Sequence, residues 1–202
     1  MAIVNDLTKI RDWLQTEVCD KVQFKLPNED KADASYPYEL VKPTAFVLFT
    51  PPKDRLPPNV RAPIPSVCIR LVEGEHRPTE STNRMSLMLN FCTWNPGIHA
   101  RDNFVPIEEG AGMKGYNQVA EGEYKRSVDG WQDVYNFLDV ALRAIERAQY
   151  IADMRVVSED GIKYGMTSDA NGLDDFYPFW PAWISFTVQA GNVRAKSFDD
   201  LL

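Results

Sequence analysis

Met85-Ser86-Leu87-Met88-Leu89-Asn90-Phe91-Cys92 is the stretch that decides the fold. Met85, Leu87, Leu89 and Phe91 fall on one side of an extended chain and Ser86 and Asn90 on the other, the period-two pattern of a strand with one buried face. Upstream, Ser66-Val67-Cys68-Ile69-Arg70-Leu71-Val72 repeats the pattern, with Val67, Ile69 and Leu71 on one side. The polar, turn-rich run Gly74 to Thr82 joins them, so residues 66–94 predict an antiparallel hairpin with a long tip.

Working outward, residues 95–127 hold five of the eleven glycines and no sustained period, and read as a long Gly-rich loop. The main helix follows within 128–150. Trp131, Val134, Tyr135, Leu138, Leu142 and Ile145 recur at helical spacing. Asp129 stands where an N-cap belongs, with Gln132 three residues on as a capping-box partner. Residues 151–190 carry the C-terminal strands, the clearest from Phe179 to Val188, and 191–202 form a polar tail. Towards the N-terminus, Ile3, Leu7, Ile10, Leu14 and Val18 mark an amphipathic helix within residues 1–20. Residues 21–65 form a Pro-rich loop region: nine of the fourteen prolines lie between Pro27 and Pro65, framing one short strand at Thr44–Phe49. The order of elements predicts a single α+β domain over 1–202, a mostly antiparallel β-sheet with two helices packed on one face and long irregular loops.

A chain of 202 residues, 44% hydrophobic and 25% charged, has the proportions of an ordinary globular domain and needs no disulfide or metal to fold. The net charge of −7 argues against a binder of nucleic acid or of an anionic membrane, because Lys and Arg supply most phosphate affinity. Cys19, Cys68 and Cys92 form no CxxC and sit in apolar patterns, which predicts reduced core thiols. The first residues lack a basic n-region and a long apolar stretch, and the longest clean apolar run is Ala45–Phe49. A soluble, cytoplasmically made chain with no membrane span is therefore expected.

Candidate chemistry is sparse. Gly110-Ala-Gly112-Met-Lys-Gly115 matches GxGxxG, but Glu108 and Glu109 precede it and no helical period follows, so it reads as loop rather than a pyrophosphate cradle. Asp169 to Asp175 has the oxygen density of a calcium loop, yet the twelfth position is Trp180 instead of Glu, so a solvated turn is expected. His76 and His99 lie in separate polar loops without a nucleophile-and-acid constellation, and no cofactor or metal is implied. Trp13 and Trp131 read as helix core. Trp94 and Trp180, at strand ends beside prolines, read as candidates for a partner surface.

Four stretches in this order resemble one family: Pro65-Ser66-Val67-Cys68-Ile69-Arg70-Leu71-Val72-Glu73-Gly74; Ser86 to Trp94; Asp129-Gly130-Trp131-Gln132-Asp133-Val134; and Tyr177-Pro178-Phe179-Trp180. Together, across residues 65–190, they resemble the tail terminator (tail-completion) proteins of long-tailed bacteriophages. The resemblance implies a structural virion protein with no catalysis and no cofactor. It would form a homo-hexameric ring that caps the tail tube, stops its polymerisation and offers a surface for head joining. The implied partners are further copies of the chain, the tail tube protein and a head-completion or connector protein, with DNA passing through the lumen without specific binding. The implied place is the virion tail or neck, assembled in the host cytoplasm. A tail tube subunit or head–tail connector, and a small enzyme or ligand-binding domain, remain the alternatives. Loop length and polarity point to Glu75, Arg77 and Arg84 at the hairpin tip, Glu108, Glu109, Met113 and Lys114 in the Gly-rich loop, and Trp180 as subunit or partner contacts.

Overall fold

The computed structural model describes residues 2–27, 39–77, 79, 82–96, 104–107, 115–118, 130–169, 172–173 and 176–191. Helix α1 (Ala2–Glu17) opens the chain, followed by β1 (Phe24–Lys25), β2 (Leu40–Val41), β3 (Thr44–Val47), β4 (Ser66–Arg77) and β5 (Thr82–Trp94). Strands β6 (Phe104–Ile107) and β7 (Gly115–Gln118) precede helix α2 (Trp131–Arg147). The remaining strands are β8 (Tyr150–Ile151), β9 (Met154–Val156), β10 (Lys163–Met166), β11 (Ser168–Asp169), β12 (Gly172–Leu173) and β13 (Phe179–Gly191).

The fold is α+β. A seven-stranded sheet runs β3-β4-β5-β13-β9-β8, with β10 also beside β13. Every pairing in it is antiparallel except β3 with β4. The middle of the sheet is a ribbon of β4, β5 and β13, in which β13 pairs with β5 from Phe179↔Trp94 to Gly191↔Thr82. At about 3.3 Å per residue such strands are about 40 Å long. Register aligns Val67, Phe91 and Ala182 in one row and Ile69, Leu89 and Ile184 in the next, so one face is continuously apolar. Leu7, Ile10 and Leu14 of α1 and Val134, Phe137, Leu138, Ala141 and Ile145 of α2 join that face in a single core. Phe137 is its pivot: its ring meets Phe91 edge-on at 4.8 Å and Phe24 at 5.1 Å.

Several expectations need correction. The buried stripe of α2 is Val134, Phe137, Leu138, Ala141 and Ile145, whereas Trp131 and Tyr135 are exposed. The apolar positions 131, 134, 135, 138, 142 and 145 span more of the helix circumference than the sheet covers, and the two aromatics fall on the uncovered side. Among the described residues no side chain caps α2. Gly130 takes the N-cap position, and the expected cap Asp129 lies outside the described residues. Residues 95–127 are not uniformly irregular, because β6 and β7 pair there as Phe104↔Gln118 through Ile107↔Gly115. Trp94 is buried, so it is not a surface anchor. Cys19 and Cys68 are buried, Cys92 is partly so, and all three are free thiols.

Candidate functional site

Two ends of the central ribbon differ sharply, and the four sequence-derived candidates among the described residues divide between them: Glu75, Arg77 and Arg84 at one, Trp180 at the other. At one end the ribbon projects as an arm. Beyond a bulge between Leu71 and Glu73, β4 is exposed from Val72 to Arg77, and its register with β5 continues to Arg77↔Thr82. This arm carries Glu75, Arg77 and Arg84. Arg77 Nε donates to Glu75 Oε1 at 2.9 Å, and Arg84 donates to Asp160 in the turn after β9. Arg77 holds the Glu75 carboxyl below its usual range. Hydrogen bonds from Arg84 and then Thr187 do the same for Asp160. His76 sits on the same arm against Asn83. The arm is thus a surface of alternating charges with little apolar burial, suited to contact with another polar surface.

The other end of the ribbon is tied down by a polar knot centred on Asn95, which is 8% exposed. Its side chain accepts from Lys25 Nζ at 2.7 Å and donates to Asp133 Oδ2 at 2.7 Å. Its main-chain oxygen accepts from Trp180 Nε1 at 2.9 Å, and its N–H donates to the Pro178 carbonyl at 3.0 Å. Tyr177 Oη donates to the Pro96 carbonyl at 2.7 Å, and the Tyr177 and Trp180 rings meet edge-on at 6.2 Å. Burial lowers the Lys25 ammonium from its ordinary value and the Asp133 carboxylate opposes that. Trp180 is therefore placed as a structural strut, half-buried against the core, while the arm keeps its exposure. Glycine at 130 is required here by room: a Cβ would lie 2.3 Å from the Asn95 oxygen and 2.7 Å from Trp180 Nε1.

Sequence reasoning missed the knot because Lys25, Asn95, Asp133 and Tyr177 are single polar residues far apart in the chain. The one local sign was Asn95-Pro96 following directly on the apolar strand. Glu108, Glu109, Met113 and Lys114 lie outside the described residues. Of the GxGxxG run, Gly115 begins strand β7 rather than the helix a pyrophosphate site needs. Asp169 of the oxygen-rich run belongs to the small β11–β12 pair, opposite Gly172. Among the described residues no group of three or more His, Cys, Asp or Glu could hold a metal, and no helix is long and apolar enough to cross a membrane.

Two further surface features stand apart from both ends. A groove of about 540 Å³ separates the C-terminal halves of α1 and α2. A shallower apolar hollow of about 330 Å³ lies against Cys92, Phe179 and Pro181 on the sheet face away from the helices. No family model and no curated protein matches the chain.

Proposed function

We propose that the chain is a structural virion subunit, a ring-forming tail terminator that caps a phage tail tube, stops its growth and presents a surface for head joining. One observation carries the reading. Three of the four stretches behind the family resemblance, far apart in sequence, meet at one point: Ser86–Trp94 leads into Asn95, Gly130 opens α2 against the Asn95 oxygen, and Trp180 bonds that same oxygen.

The remaining features fit the assignment. The two-helix layer on one sheet face leaves the charged arm and the opposite sheet face for contacts between copies and with the tube and head-completion proteins. The net charge of −7 suits a lumen past which DNA slides without specific binding. No catalytic step and no cofactor is assigned, and the working place is the virion neck after assembly in the host cytoplasm.

Light-scattering mass on a size-exclusion column, with negative-stain images of the same peak, tests the proposal. Six copies of 23.0 kDa give a ring of about 138 kDa with a central hole. Long tubes from the purified chain would instead identify a tube subunit, and a compact dimer without a hole would sink the assignment.

A further inference from the structure

The chain carries −7 overall, yet the groove between α1 and α2 is basic. Trp13, Val140 and Ala144 give it an apolar lining, and Lys21, Arg143 and Arg147 supply three cations against the single acid Glu17. That is a local charge of +2, which leaves −9 for the rest of the chain. Arg143 pairs with Asp139 at 2.9 Å on the same helix, whereas Lys21 and Arg147 make no ion pair among the described residues. A cation in the last turn complements a helix end, which accounts for Arg147 but not for a three-cation groove around a half-buried tryptophan.

The opposite end of α2 presents the matching chemistry. Trp131 is 42% exposed and Tyr135 40%, their rings edge-on at 5.5 Å, with no core to bury them. Trp, Tyr and Arg are the residue types that dominate interface energetics, and guanidinium groups are attracted to aromatic faces. By the helical rise, Trp131 and Arg147 lie about 24 Å apart along the axis, so one copy cannot join them within itself.

We propose that the groove at Trp13, Lys21, Arg143 and Arg147 receives the Trp131–Tyr135 pair of a second copy. The contact is head-to-tail. Each copy that docks leaves its own groove or its own aromatic pair free for the next, and such a heterologous interface closes into a ring or runs on as a chain. The inference rests on the reading of the chain as a self-assembling subunit and names the surface that does it.

The test uses the full chain and two variants, Trp131→Ser with Tyr135→Ser, and Arg143→Glu with Arg147→Glu. All substituted side chains are exposed, so both variants should still unfold cooperatively, the charge-reversed one a few degrees lower because acids then face Asp139 and the helix C-terminus. Light-scattering mass over a range of concentrations should show the wild type assembled and each variant monomeric, with association weakened by about 100-fold or more. Mixing the two variants should restore one contact only, giving a 1:1 dimer and nothing larger. A monomeric wild type, either variant assembling like the wild type, or no complex on mixing would each overturn the inference. So would a groove that binds a labelled oligonucleotide while the chain stays monomeric. A six-copy ring that survives both variants would overturn this contact and leave the terminator reading standing. A chain that assembles through this contact without closing a ring would do the reverse.

Discussion

Replacing Gly130 by Ala should destabilise the protein by about 1–3 kcal/mol, because of space and not of backbone conformation. Gly130 has φ −57° and ψ −28°, values open to every L-residue. The obstacle is that the new Cβ would sit 2.3 Å from the Asn95 oxygen and 2.7 Å from Trp180 Nε1, two atoms already hydrogen-bonded to each other at 2.9 Å. Something must move. If the bond opens, its net contribution of about 1 kcal/mol is lost and a buried acceptor goes unpaired, worth about 1–3 kcal/mol more. If α2 shifts instead, overpacking costs about 1–3 kcal/mol. The reduced freedom of the unfolded alanine chain offsets only about 0.4–1 kcal/mol. Urea unfolding followed by tryptophan fluorescence should show a lower midpoint at unchanged slope, and a melting temperature about 2–12 °C lower for a chain of this size. Gly191→Ala is the control, since nothing lies within 4 Å of a Cβ there, and it should be near neutral. A Gly130→Ala protein within about 0.5 kcal/mol of wild type, or an equal loss at Gly191, would refute the reasoning.

Two further outcomes can be checked with the same protein. Asp6 is buried, and its carboxyl is pushed above the ordinary value, first by burial and then by the Asp153 charge. At strongly acid pH both states hold the proton. As pH rises the unfolded chain releases it first, so stability falls until the folded group ionises too. Asp6→Asn should therefore raise stability at neutral pH, with the gain fading towards pH 3 in urea titrations at several pH values; an equal gain at every pH would contradict this. Burial pushes the Cys19 and Cys92 thiols up to about 12 and raises Cys68 as well. A colorimetric disulfide reagent should accordingly titrate the thiols slowly in the native protein and all three at once in denaturant.

The long strands were legible because alternation survives any choice of partner: Met85, Leu87, Leu89 and Phe91 must share a face whatever they pair with. Pairing itself was not legible. β3 joins β4 in parallel through Thr44↔Ser66, and nothing in Thr44–Phe49 distinguishes that from an antiparallel neighbour. The helix at 131–147 was visible, but its rotation was not. Aromatic bulk counted towards the stripe in sequence, while in the fold Ala141 is buried and Trp131 is not. The knot was invisible for a different reason. Its energy comes from the joint placement of Lys25, Asn95, Asp133 and Trp180, none of which stands out alone.

The contrast between the two ends of the ribbon carries a last prediction. The knot end is fixed by hydrogen bonds around a buried residue, where a broken partner leaves an unsatisfied group. The arm end is held by its backbone ladder and by ion pairs between exposed side chains, each worth about 0–1 kcal/mol. Opening the ladder past Met85 exposes almost no apolar surface, because β4 is exposed from Val72 onward. The amides of His76, Arg77 and Asn83 should therefore exchange with solvent through local opening, while those of Leu87, Leu89 and Ile184 wait for global unfolding. Arg84→Gln, which removes the tie to Asp160, should speed the first group and leave the second unchanged. Arm amides exchanging as slowly as that of Leu89 would show the arm to be part of the rigid core. If they exchange fast in the monomer and slowly in the assembled protein, Glu75, Arg77 and Arg84 lie where copies or partners meet, because only a new covering surface can protect a ladder that the fold leaves open.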